Sequence, residues 1–397
     1  MRILPFLLHA GPIGDRVRKF GELGEQGTME RPATPPRSAG ALGYAYTLIH
    51  VALITLVLTA GPIALTAQKV APASREHIEV IGLHRWTRQM IEDSLAAHFT
   101  GPDASLESHA CAVNLRKIGF AAAAVQVFLN PGPTSNANRW TLITVVEPQD
   151  STRVRSISHF PDSLADRVEW AGIRDAVGAA AGHAFHPADF VPAAQFYPWY
   201  ATGHKETALN LLERVGAPSK TAAVYPLLAD HASSTDLSEA LLSIRTDGNA
   251  DNRVIAAAIL ANFPAADSTW WALVRALRDP EEAVGTMAGE SLRTLAQVYP
   301  RHIDWTGEGD DIRAVFGGTD LWQLGTLIEV LLKTQVSPTL AAVMLRDNAE
   351  LLASYATSSV PQVSKPARAL LERLSGEDLG NDRSAWIAWA DSLPPPK

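Results

Sequence analysis

The strongest constraint on this chain is a recurrence. Arg253-Val-Ile-Ala256-Ala-Ala-Ile-Leu260 returns 32 residues later as Gly285-Thr-Met-Ala288-Gly-Glu-Ser-Leu292, which sets Ala256 over Ala288, Leu260 over Leu292 and Asp247 over Asp279. A unit this short cannot bury its apolar face alone, so stacked neighbours must cover one another. Small residues at the alanine positions let helix axes approach, and the leucines fill the space between them. The pattern predicts two helix pairs, Asp236–Arg245 with Asn252–Phe263 and Ser268–Arg278 with Val284–Val298, punctuated by Asp279-Pro280. Further helices are expected over Thr207–Val215, Leu321–Thr334, Leu340–Ala356 and Pro366–Leu374.

The stretch Leu277-Arg-Asp-Pro-Glu-Glu-Ala-Val284 resembles the inter-helix turn of HEAT repeats, which carry Asp-Pro, then Val-Arg, then an Ala-rich second helix. Arg253 keeps the usual arginine and Gly285 departs from it, so the resemblance does not imply an unbroken Asp/Arg ladder. It covers residues 201–393 and implies a mainly α fold, a HEAT-like α-solenoid of antiparallel helix pairs. Its closing segment places Trp386 and Trp389 on one face of a short helix, where two indoles would cap the otherwise uncovered last repeat.

Ahead of the repeats the period changes. His77-Ile-Glu-Val-Ile-Gly82 alternates as a short strand does and ends in a glycine turn. Thr87 is placed to cap a helix carrying Met90, Ile91 and Leu95 on one face, and a second helix is expected over Leu106–Ile118. Strands over Ala123–Leu129 and Arg139–Val146 follow, joined by a loop rich in turn formers from Asn130 to Asn138. This β-α-α-β-β order, with Val-Ile-Gly-Leu after the first strand and Leu-Arg-Lys-Ile-Gly-Phe before the second, resembles a POTRA domain over residues 76–150. The resemblance implies a small α+β envelope module that can pair a peptide strand to its sheet edge.

No charged side chain occurs from Ser38 to Gln68, and Leu42–Leu58 is densely apolar behind Arg31 and Arg37. Basic flank, apolar run, the Gly61-Pro62 break and small residues have the order of a secretory signal peptide, with cleavage after Ala67 or Ala73. The same run is long enough to remain as a single transmembrane helix. Residues 1–40 then read as disordered, as an n-region or as a mis-assigned start, since Met29 opens a conventional one, and 41–67 as the signal or span. Both readings export the rest to the periplasm or cell envelope, anchored in the inner membrane by residues 42–67 if the segment is uncleaved.

Residues 151–200 show no sustained period and read as a connector. Within it His183, His186 and Asp189 are spaced for one helical face and are the candidate metal ligands, though Pro187 interrupts them. Phe196-Tyr-Pro-Trp-Tyr200 is expected to pack on the helices, Cys111 to be a buried apolar residue, and the acid pairs Glu281-Glu282 and Asp310-Asp311 to be solvated. With a net charge of −8 and no basic stripe, nucleic acid is not an expected partner. No Gly-x-Ser-x-Gly, His-Glu-x-x-His, phosphate-loop or dinucleotide signature occurs. The sequence therefore suggests a protein-binding scaffold without catalytic residues or cofactor, set against two alternatives: a metal-binding protein or hydrolase, and a membrane-anchored structural protein.

Overall fold

A computed structural model describes residues 77–395 apart from 109, 131–137, 159, 161–165 and 218. The expected segments at 1–40 and 41–67, and most of the loop between the last two strands, lie outside the described residues. His77–Phe128 and Trp140–Lys397 pack as one compact unit, mainly helical with a small three-stranded sheet.

The sheet module runs β1 (His77–Ile81), α1 (Arg88–His98), α2 (Cys111–Lys117), β2 (Ala122–Asn130) and β3 (Asn138–Val146). The strand order is β1-β3-β2, and β1 lies parallel to β3 with His77 opposite Trp140 and Ile81 opposite Thr144. Parallel pairing demands a crossover, which α1 and α2 supply. Alternation along β3 then divides its side chains between two cores. Ile143 and Val145 join Ile91, Leu95, Leu115 and Phe120 under the two helices. Leu142, Thr144 and Val146 are also buried, with Thr144 Oγ1 3.2 Å from the Tyr355 hydroxyl on the opposite side.

Two expectations here need correction. Met90 is 46% exposed, because the buried pair Ile91 and Leu95 is spaced i,i+4 and Met90 stands one residue off that stripe. The second helix begins at Cys111 rather than Leu106, since the Ser105 and Ser108 hydroxyls accept from the N–H groups of Glu107 and Ala110 and hold a turn instead.

The remaining helices are α3 (Ala171–Ala181), α4 (Pro187–Ala194), α5 (Tyr197–Ala201), α6 (Lys205–Arg214), α7 (Val224–Ala229), α8 (Ser234–Thr246), α9 (Ala250–Ile259) and α10 (Asp267–Ala276). After them come α11 (Glu282–Val298), α12 (Gly309–Phe316), α13 (Leu324–Lys333), α14 (Ala341–Leu345), α15 (Glu350–Ala356), α16 (Pro361–Ser375) and α17 (Arg383–Ser392). Helices α8, α10, α12 and α14 pack in one row and α9, α11, α13 and α16 in a second. The recurring residues occupy the second row, where Ala256, Leu260, Ala288 and Leu292 are fully buried. From the far side α4 packs on α9 and α11, and α5 on α11, so α9 is enclosed almost all round. The aromatic run at 196–200 contributes to that layer through Phe196, Tyr197 and Trp199, all buried.

The expected helix over Leu340–Ala356 is two helices, broken around Asp347, whose φ is 56°. The one expected from Pro366 starts at Pro361, where the fixed φ of proline suits a first turn, and carries Pro366 inside it. Gly285 has a steric reason to depart from arginine, because even a Cβ there would stand 3.2 Å from the Asp320 carboxylate. Trp386 is buried on α17, its indole N–H donating to the Gly380 carbonyl (3.0 Å), and α17 packs on α14 and α15.

The connector is a strap. Its described residues between Arg153 and Arg167 have no regular structure, yet its bonds step back along the helix pairs. The Arg153 guanidinium meets Glu350, and the Arg155 N–H donates to Thr319 Oγ1 (2.8 Å). The Ile157 N–H donates to the Arg278 carbonyl (2.9 Å), and Arg278 Nε returns a bond to the Arg155 carbonyl (2.8 Å). Phe160 lies 3.9 Å over the Arg253 guanidinium, and the Arg167 N–H reaches Asn252 Oδ1 (3.3 Å). Partner numbers fall as strap numbers rise, so the strap runs opposite to the rows.

Candidate functional site

Among the described residues, charged groups from separate parts of the chain meet where the sheet, the strap and α15 join. The turn after β1 is pressed against β3, since a Cβ on Gly82 (φ 88°) would fall 2.1 Å from the Val145 carbonyl oxygen. The N–H groups of His84, Arg85 and Trp86 then converge on the Glu147 carboxylate at 2.7, 3.0 and 2.9 Å. Glu147 is fully buried. Burial alone would raise its carboxyl, but the three N–H donors and the nearby imidazole outweigh this and hold it below the usual range.

With the turn fixed, His84 Nε2 stands 3.0 Å from Glu350 Oε2 at the start of α15 and 4.0 Å from Asp150 Oδ2. Arg153 bonds the same Glu350 oxygen and lies 3.9 Å from Asp150. Burial again pushes the Glu350 carboxyl up, but the hydrogen bonds and charges of His84 and Arg153 bring it down to about 2. The ligand atoms of His84, Asp150 and Glu350 lie within 4.8 Å of one another, a spacing that a divalent ion could bridge in principle. Arg153 argues against it. Its guanidinium already supplies the cation at Glu350 and would have to leave before a metal could take that oxygen. The arrangement is an ion-pair joint between three segments.

The residues singled out in the connector do not form one ligand set. His186 precedes α4 and its Nδ1 accepts from the Ala188 N–H (3.1 Å), which makes it a helix cap with Pro187 as the first helical residue. His183 lies outside that helix with Nε2 3.7 Å from Asp189 Oδ2, so the three do not share a helical face. His183 also borders an open cleft of about 360 Å³ with Asp166, Arg174, Asp175 and Phe185. Arg174 within it is tied to Asn252 (3.3 Å) and to the Arg167 carbonyl.

Two other groupings bear on chemistry. Ser359 Oγ is 3.4 Å from His77 Nε2, a distance that invites a nucleophile reading, but its hydroxyl donates to Glu79 (2.6 Å), so the carboxylate holds the serine and not the imidazole. Asp311 is buried and bonded by Arg278, which corrects the expectation of a solvated acid pair at 310–311. Burial, then the hydrogen bond and charge of Asp311, push the neighbouring Glu308 carboxyl up to about 7. Cys111 is buried, and burial raises its thiol to about 11, far from a reactive thiolate.

Along the turns Arg253 bonds Asp279 through two nitrogens, at 2.7 and 2.8 Å, and the backbone oxygens of Asp247 and Gly248 at 2.9 and 3.1 Å. The next link is Arg278 to Asp311, from the turn and not from position 285. Local spacing links only Asp150 to Arg153, and His84 and Glu350 join them through the tertiary fold alone, which no sequence pattern reveals. Comparison with known protein families, curated proteins and solved structures finds no match to this chain.

Proposed function

We propose that this protein is an exported, non-catalytic protein-binding scaffold of the cell envelope, a HEAT-like α-solenoid joined to a POTRA-like module. The observation that carries the reading is the two-row stacking of successive helix pairs, linked at their turns by Arg253–Asp279 and Arg278–Asp311. Stacks of this kind present an extended surface that suits protein partners better than small substrates. The β-α-α-β-β order, with β2 at an edge of the sheet, is compatible with the POTRA resemblance. In the charged groupings described, arginines and backbone groups engage the carboxylates within the fold, which favours structural roles for them.

Capture from an envelope extract on the immobilised full chain, followed by reconstitution with the purified partner, tests the binding role. Saturable binding supports the reading, and loss of all specific capture counts against it. A reporter fused after Lys397 tests export, and activity confined to the cytoplasm would overturn that part. The membrane-anchored alternative rests on residues 42–67, since no helix among the described residues is long and apolar enough to cross a membrane. Retention in membranes after carbonate washing would favour it.

A further inference from the structure

We propose that His84 is the proton-sensitive element of a clasp that fastens the sheet module and strap to α15, tightening as the imidazole takes up a proton. The inference does not depend on export or on partner binding. Its basis is the convergence of two segments on one carboxylate of a third, far away in sequence: Glu350 Oε2 receives His84 Nε2 at 3.0 Å from the turn after β1 and the Arg153 guanidinium from the strap. The two side chains are partly shielded, His84 being 24% and Glu350 21% exposed although residue 84 as a whole lies at the surface, so a change of charge there is felt somewhat more strongly than at an open surface.

The groups facing His84 come from every element around it. Behind β3 stand Glu147, Asp150 and Arg153, and α15 provides Glu350. From α17, Arg383 donates to the Leu83 carbonyl oxygen (3.3 Å) one residue before the histidine. One guanidinium thus serves the Asp150 and Glu350 carboxylates, with Glu147 close behind on the turn's own N–H groups. A neutral imidazole adds a dipole to this arrangement, and a protonated one adds a second cation and a charge-assisted bond to Glu350. Imidazole is the side chain suited to such a change between about pH 5 and 8. The turn carrying it also aims the N–H groups of residues 84–86 at Glu147, so loosening the His84–Glu350 contact should be read out by those amides.

The test is amide hydrogen exchange of the segment containing residues 84–86 in the full chain, corrected for intrinsic exchange, at about pH 7.5 and about pH 5.5. Wild type should gain roughly tenfold protection on acidification, the size expected of a hydrogen bond that becomes charged. His84→Gln retains a neutral donor and should stay nearly flat. Glu350→Gln should also lose the response, and if that variant does not fold, His84→Gln decides alone. A flat wild type overturns the proposal. So does a His84→Gln response equal to wild type, which would assign the effect to carboxyls that burial pushes up, such as Glu308 and Asp320. Zinc that protects wild type but not His84→Gln at neutral pH would overturn it too, by showing a metal centre in place of a clasp.

Discussion

The helix rows and the strap are held by different physics. In the rows, Ala256, Leu260, Ala288 and Leu292 recur at a fixed spacing and are buried at equivalent places, so one rule repeats itself. In the strap, Arg155, Ile157, Phe160 and Arg167 make contacts of different kinds, with Thr319, Arg278, Arg253 and Asn252, mostly through backbone atoms. The first kind of order is written in side-chain period. The second depends on which backbone groups remain unpaired once the rows exist, and it leaves almost no trace in the sequence.

Arg253 belongs to both regions, so its loss should produce the largest effect. Arg253→Ala leaves a nearly buried Asp279 without its partner and removes the cation under Phe160, and should destabilise by about 3–5 kcal/mol in denaturant unfolding. A near-silent result would mean that the rung contributes little and that the rows stand on apolar packing alone. Leu260→Ala and Leu292→Ala should each cost about 2–5 kcal/mol, and similar values would support the equivalence of the two positions. A large difference between them would break the repeat as an energetic description.

Phe160→Ala sharpens the comparison from the strap's side. It removes a ring over a guanidinium while leaving the Arg253–Asp279 pair in place, and should cost about 1 kcal/mol by the same measurement. The smallest effect expected is that of Glu308→Gln. The Glu308 carboxyl rises from 4.5 to about 7 on folding, so its favourable contribution is complete below pH 4.5 and is lost as pH rises through 7. The variant should therefore melt slightly higher than wild type at about pH 8, with the gap closing on acidification. A gap that widens at low pH would contradict a Glu308 carboxyl raised by burial and by the neighbouring Asp311.

Legibility followed the same division. The strands, the Thr87 cap and the central helices could be read because period and capping chemistry are local. Over 340–356 the apolar spacing carries helical character through the break, and nothing local marks the turn of the chain at Asp347. Asp311 looked solvated beside Asp310, but its partner Arg278 stands 33 residues away and adjacency could not reveal it. The joint at Glu350 draws on residues 84, 150 and 153, a combination that only the tertiary fold creates.

The pairing of the sheet module with the last helices has a consequence for how the chain is made. Glu79 on β1 is bonded by the N–H of Ser359, 280 residues later, and the Leu83 carbonyl by Arg383, 300 residues later. Contacts of such sequence separation raise contact order, which slows folding because a very long loop must close first. On the ribosome, β1 to β3 emerge early, but the buried surface formed by Leu142, Thr144 and Val146 has to wait for Leu351 and Tyr355. Until α15 is delivered that face is a sticky intermediate, and a chain stopped short of α15 should aggregate through its first-made strands.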